Sequence, residues 1–485
     1  MKKIFIAIVC AFMPLLAGAQ ALKGSYFLDN SLNRHELNPA FAPRSDYFQL
    51  FGIGNLGMGM GTNLDVPTFF FPKNGQLCTF LHPDVSVKEF ERALPVHPHF
   101  DVDVNTTLFG FGFYTKRKSY WTFDLDVRTM IDVDLPRDLF TFIKKGTGTT
   151  GQSYNIGNIN AYATAGLQAT LGYSRDIIKG LRAGVKARFI APMAYAAFNV
   201  ENLRLTTGDT WTLSTEAYLH TAVQGLDMSL PQGEMMPQMD FNLNRLLGNG
   251  VLAGYGYSFD LGAEYTLELG TIFDGISVSA AVTDLGSIHY HQNAVSSFES
   301  HGSVPWEGFQ LSMDDPMELE ASINEFMEKA KNELFNLSEV DNKGSFTRST
   351  MPRFHVGVEV PFLKRSMSIG LLYSSRLSHS YARNELTLSY NLTPCKWFAL
   401  GINYSFLNTA KTMGFILELT PRWGPAFYLG CDYIPVEFAP ASFVPAIGML
   451  PSSMRLNMNF GIAFHVGSKH LKKKQKMAVV LPTVE

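Results

Sequence analysis

Beyond its first nineteen residues the 485-residue chain has no run of about 18 apolar residues, which excludes a helical membrane protein. Cysteine is scarce: Cys10, Cys78, Cys395 and Cys431 are all there is. If Cys10 leaves with a leader, an odd number remains, so a disulfide scaffold is excluded. A net charge of −3, with charged residues at 17% of the chain, leaves no basic footprint for nucleic acid. Also lacking are a nucleophile elbow, an HExxH pair and a Gly-rich phosphate loop. Neither enzyme activity nor a cofactor is expected.

What is present is apolar and rich in glycine. Hydrophobic residues make up 46% of the chain, aromatics 13%, and there are 41 glycines, which rules out a disordered polymer. Met1-Lys2-Lys3, the apolar run Ile4 to Leu16 and Ala17-Gly18-Ala19 follow the order of a secretory signal peptide. Residues 1–19 are expected to be cleaved, because a run this short falls below the roughly 20 residues a spanning helix needs.

Alternation with period 2 decides the class, because successive strand residues face opposite sides. Tyr255, Tyr257, Phe259, Leu261, Ala263, Tyr265, Leu267 and Leu269 share one face, and Gly256, Ser258, Asp260, Gly262, Glu264, Thr266 and Glu268 the other. The split recurs at residues 121–128, 167–174 and 456–467. Strands of 10 to 15 residues exceed the globular norm of about 5 to 6 and suit a tilted membrane strand. The expected fold is an all-β transmembrane antiparallel barrel of about 14 strands, within 12 to 16. Strands are read at 47–59, 101–115, 119–133, 158–175, 181–194, 251–269, 276–290, 351–362, 367–377, 381–391, 396–407, 411–420, 425–434 and 454–467. Every second connection is short, which places both termini on the periplasmic side and the loops at 60–100 and 291–350 outside. Residues 20–46 form an amino-terminal segment, 47–467 the barrel and 468–485 a basic tail. Around Thr207-Gly208-Asp209 a β-hairpin is expected, extending the rim or entering the barrel. A helix is expected within the loop 291–350, after Asp315-Pro316.

Asn38-Pro39-Ala40, just before the first strand, resembles the amino-terminal hatch of the long-chain fatty-acid transporter (FadL-type) barrels and the related PorV-type barrels of Bacteroidota secretion systems. A resemblance over most of the chain, carried by Ser279-Ala280-Ala281-Val282-Thr283-Asp284-Leu285-Gly286, Thr350-Met351-Pro352 and Gly424-Pro425 through Asp432, is to an uncharacterised Bacteroidota outer-membrane family known only as a domain of unknown function. It implies fold and location and carries over no site residues.

Alternation aims Asp124, Asp126 and Arg128, with Arg182, Lys186 and Arg188, into the lumen. Asn459, Gly461, Phe464 and Val466 have the spacing of the signal that barrel-assembly machinery reads. His97 with His99 and His289 with His291 lack a further ligand in the local sequence, so no metal is expected. The expected protein is a non-enzymatic outer-membrane barrel, in contact with membrane lipid, that binds or passes a small hydrophobic ligand. The alternative is a scaffold or accessory subunit of an envelope secretion or assembly machine, with proteins of that complex as partners.

Overall fold

A computed structural model describes residues 22–29, 31–50, 54–73, 76–115, 119–145, 153–206, 211–229, 238–242, 250–269, 273–306, 338–340, 344–378, 381–407, 411–421, 425–440, 449–451 and 454–466. The expected signal peptide, loop helix and basic tail lie outside the described residues.

Fourteen antiparallel strands close into a barrel. β1 runs in two parts, Asp46–Leu50 and Leu56–Thr62; β2 is His99–Tyr114, β3 Tyr120–Asp134, β4 Ile159–Ile178, β5 Leu181–Thr206, β6 Gly254–Leu267 and β7 Ile276–Tyr290. β8 is Phe346–Ser349 continued by Arg353–Phe362, followed by β9 Met367–Leu377, β10 Ala382–Cys395, β11 Phe398–Phe406, β12 Lys411–Leu419, β13 Pro425–Pro435 and β14 Leu456–Val466. Each pairs with its chain neighbour, and β14 returns to β1 with Asp46 opposite Val466 and Leu56 opposite Phe460. Closure leaves no wall strand with an unpaired edge, a condition for spanning hydrocarbon.

The alternation read from β6 sorts the side chains as one apolar and one polar surface require. Leu261 is 57% exposed on the outside, whereas Ser258 and Asp260 are buried within the lumen. The outward set on other strands is equally greasy: Leu171, Phe189, Val356, Ile369, Leu388 and Ile402 are all exposed. No described helix is long and apolar enough to cross a membrane, and in this fold the strands do so.

Two features exceed what periodicity foretold. β5 pairs with β6 only as far as Ile190, then continues beyond the barrel to Thr206, paired with a rim strand, Trp211–Val223. The two strands that flank residues 207–210 thus extend the rim, and Val295–Trp306 adds a further strand to them. In β7 the register slips: Phe259 faces Leu285 while Leu261 faces Val282, leaving an extra residue on β7. Asp284 takes φ 60° there and donates its N–H to Asp260 Oδ1 at 2.8 Å. Such a bulge re-aims a side chain, and here it adds a carboxylate to the lumen.

Candidate functional site: a plugged lumen crossed by ion pairs

Residues 22–29 and 31–45 lie inside the barrel and fill its middle. Tyr26, Phe27, Leu37 and Phe41 pack with Leu372 of β9, and Leu22 and Leu28 with Ala399 and Ile416. The first turn is hydrogen-bonded to the wall: the N–H groups of Lys23 and Gly24 donate to Asp432 at 2.8 and 2.9 Å, and Asn403 and Asn457 brace that carboxylate at 2.9 and 3.1 Å. Lys23 Nζ donates to Tyr433 at 2.8 Å and pairs with Glu385.

Asn38 and Ala40 are completely buried. Asn38 Oδ1 accepts from the Ala40 N–H at 2.9 Å, and its Nδ2 points at the carbonyls of Ala263 and Ala280 at 3.4 and 3.5 Å. The wall beside the tripeptide carries glycine for a steric reason. A Cβ on Gly262 would lie 2.0 Å from Asn38 Oδ1, and one on Gly184 would lie 2.0 Å from the Pro39 carbonyl oxygen. Glycine permits this close approach of plug to strand.

The lumenal charges separate into three groups. Nearest the plug, Lys186 Nζ donates to His35 Nδ1 at 2.6 Å and lies 3.9 Å from Asp124, while Asp126 accepts from Thr107 at 2.7 Å. Burial and the Lys186 ammonium hold His35 well below the usual histidine range, consistent with a neutral ring hydrogen-bonded to Tyr47 at 2.7 Å. Neighbouring Glu36 is pushed up to about 8 by burial and by Asp126; its carboxyl accepts from Asn55 at 2.9 Å.

The second group centres on the bulge. Arg128 bridges Asp103 and Asp284, each at 3.2 Å, and Arg188 pairs with Asp260 at 3.1 Å and with Asp284. Arg182 stands apart at the short-turn end, on Asp176 at 2.8 Å.

The third group went unread in sequence. Arg353 of β8 meets Asp103 of β2 at 2.7 Å. Arg376 of β9 meets Asp132 of β3 at 3.2 Å, and Arg383 of β10 meets Asp101, Asp132 and Asp134 at 2.8, 2.6 and 3.2 Å. Six or seven strand positions separate the partners in a ring of 14, so these pairs form a bar across the lumen. Alternation could have flagged the carboxylates, since Asp101-Val102-Asp103 and Asp132-Val133-Asp134 both repeat with period 2. Their partners lie about 250 residues away, a pairing one strand's pattern cannot show.

The bar divides the long-loop side of the lumen. On the plug side lies a chamber of about 380 Å³ that includes Lys23, Leu37, His99, Arg383, Tyr433 and Arg455. On the other side lies a niche of about 90 Å³ among Tyr162, Ile190, Pro192, Tyr195, Ile288, Tyr290 and Met351. A space of about 60 Å³ over Glu36 and Leu37 shares Arg353 and Asp103 with the chamber and Arg128 and Asp284 with the niche.

Of the remaining sequence candidates, Asn459 and Gly461 are buried toward the lumen, Val466 is exposed, and Phe464 stacks on Phe48 at 5.1 Å. His97 stacks on Tyr381 at 4.7 Å, and His289 lies 5.3 Å from the Tyr255 ring. Among the described residues no three His, Cys, Asp or Glu side chains are grouped to hold a metal.

The Family of unknown function (DUF5723) matches residues 39–432. The chain belongs to that family. No curated protein matches its sequence. Among solved structures, the toluene transporter TbuX of Ralstonia pickettii is similar over 90% of this chain and 95% of its own, at 8% identity and a TM-score of 0.40. The toluene transporter TodX of Pseudomonas putida is similar over 92% and 98%, at 10% identity and a TM-score of 0.35.

Proposed function

We propose that this DUF5723 protein is an outer-membrane barrel that takes a small, largely hydrophobic molecule into its lumen from the long-loop side and passes it on past the amino-terminal plug. The carrying observation is the aromatic niche: a partly enclosed space of mainly apolar lining that leads, through the Arg128–Asp284 cluster, to the plug residues Glu36 and Leu37. Ligand pockets combine apolar walls with a few fixed polar groups, and Arg128, Gln168 and Asp284 supply those groups at the inner end. Long loops face outside in barrels of this class, and in this reading the niche opens toward the medium.

The test is to purify the protein from native membranes and identify the small molecules extracted with it, beside a Thr164→Phe variant that fills the niche, Thr164 lying opposite lumenal Met130. A small apolar compound present with the wild type and depleted in the variant supports the reading. Equal recovery from both, or membrane phospholipid alone, overturns it.

A further inference from the structure

Alternation carries His99, Asp101 and Asp103 of β2, Arg376 of β9, and Arg383 and Glu385 of β10 into the chamber on the plug side of the bar. Its wall is strongly charged and yet balanced. Lys23, Arg92, Arg353, Arg376, Arg383 and Arg455 line it together with the carboxylates of Asp101, Asp103 and Glu385. Further carboxylates stand directly behind: Asp132 and Asp134 on Arg383, and Asp432 on the N–H of Lys23. Across these groups the formal charges cancel. An ion entering the chamber would compete with pairs already made, whereas a neutral molecule leaves them intact.

Paired groups still have hydrogen bonds to offer, since a carboxylate and a guanidinium each keep sites to spare after one pairing. At one place such sites face each other: Arg376 Nη1 and Asp101 Oδ2 are 3.9 Å apart, too far for a direct hydrogen bond. Neither atom has a hydrogen bond among the described residues, because Arg376 bonds Asp132 through Nη2 and Asp101 receives Arg383 on Oδ1. A hydroxyl group placed there accepts from the guanidinium and donates to the carboxylate. A carboxylate or phosphate oxygen only accepts, and an ammonium only donates, so neither can bridge the two. The rest of the lining includes Leu94, Pro95, Val96 and the rings of Tyr381 and Tyr433, which suit the C–H face of a sugar ring.

We propose that this chamber binds a neutral mono- or disaccharide, one hydroxyl of which bridges Arg376 and Asp101. Its volume of about 380 Å³ falls in the range of roughly 300 to 1,000 Å³ typical of small-ligand sites. The site is separate from the niche that takes the apolar ligand, and the inference does not rest on the reading of the niche.

The experiment is calorimetric titration of the full chain, in a sugar-free detergent, with glucose, galactose, maltose and lactose, and with sodium citrate as the charged comparison. Saturable binding of at least one sugar is expected, little changed by added salt because no net charge is exchanged. Asp101→Asn turns the carboxylate oxygen that faces Arg376 into an amide while Arg383 keeps Asp132 and Asp134, and is expected to weaken binding about tenfold. Lys364→Gln, at the opposite end of the barrel, is expected to bind as the wild type does. If Asp101→Asn loses the heat-modifiable gel migration of a folded barrel, Tyr381→Ala provides the comparison, with an expected loss of about threefold. No saturable binding of any sugar, a preference for citrate over every sugar, equal affinity of the wild type and the folded variant, or the same loss in Lys364→Gln overturns the proposal.

Discussion

Arg376 and Asp132, 244 positions apart in sequence, meet across the lumen at 3.2 Å. Asp132 also accepts from Arg383 at 2.6 Å, so one carboxylate from β3 ties two strands of the opposite wall. Removing one member of a buried ionic cluster costs about 3 to 5 kcal/mol, because its partners stay buried without compensation. Asp132→Ala is therefore expected to lower barrel stability by that order in a denaturant titration, with Asp132→Ala/Arg376→Met recovering part of it. A single variant as stable as the wild type would mean that the bar does not brace the barrel.

The apolar exterior gives a prediction about depth. Leu261 and Leu363 are almost equally exposed, at 57% and 55%, but the first lies within the wall and the second in a turn. An arginine facing lipid near the midplane costs about 2 to 4 kcal/mol and close to nothing at the interface. Leu261→Arg should abolish or strongly reduce heat-modifiable migration, while Leu363→Arg preserves it. Equal tolerance would be incompatible with a membrane around the wall.

Seating of the plug is tested at Gly262. A valine there would drive its Cβ into Asn38 Oδ1 and to within 2.8 Å of Pro39 Cδ. Gly262→Val is expected to leave a closed barrel whose residues 22–45 are cut by protease at least tenfold faster than in the wild type. Unchanged protection would show that the plug does not need this approach.

Glu36 makes plug seating pH-dependent. Its carboxyl titrates near 8 when docked against an ordinary value of 4.5, so the docked state holds the proton more tightly. That contribution is full below 4.5 and is lost as pH rises through 8. His35 acts in the opposite sense: its depressed value means docking weakens as pH falls below the ordinary 6.5. Protection of residues 22–45 should fall between pH 6.5 and 8.5 in the wild type, and Glu36→Gln should flatten that fall while leaving the acid limb attributed to His35. Identical profiles for the two proteins would remove Glu36 from the account.

Much of the wall was legible because its signal is local. Alternation in β6 placed Leu261 outside and Ser258 inside, and short turns at every second connection led to 14 strands. What escaped depends on distance or on broken phase. The strand Val295–Trp306 lies in a stretch without clean alternation, and β5 runs past the point where its barrel partner ends. Asp284 escaped because the bulge shifts the register there, so a pattern read straight through β7 misplaces it. Asp124, Arg128 and Arg188 were foreseen as a group, yet Asp124 sits with the plug while Arg128 and Arg188 meet only through Asp284.

The plug's attachment also constrains the order in which the barrel can be made. Its first turn is fastened to Asp432 on β13, and its other end runs directly into β1. β14 stands between those two strands and forms the seam with β1. A segment tied on both sides of a seam cannot be threaded into the finished cylinder without undoing one of its ties. The amino-terminal segment must wait beside the growing sheet until the last strands arrive, so this contact of very long sequence separation forms together with closure, and a plug that fails to seat leaves the seam without its inner support.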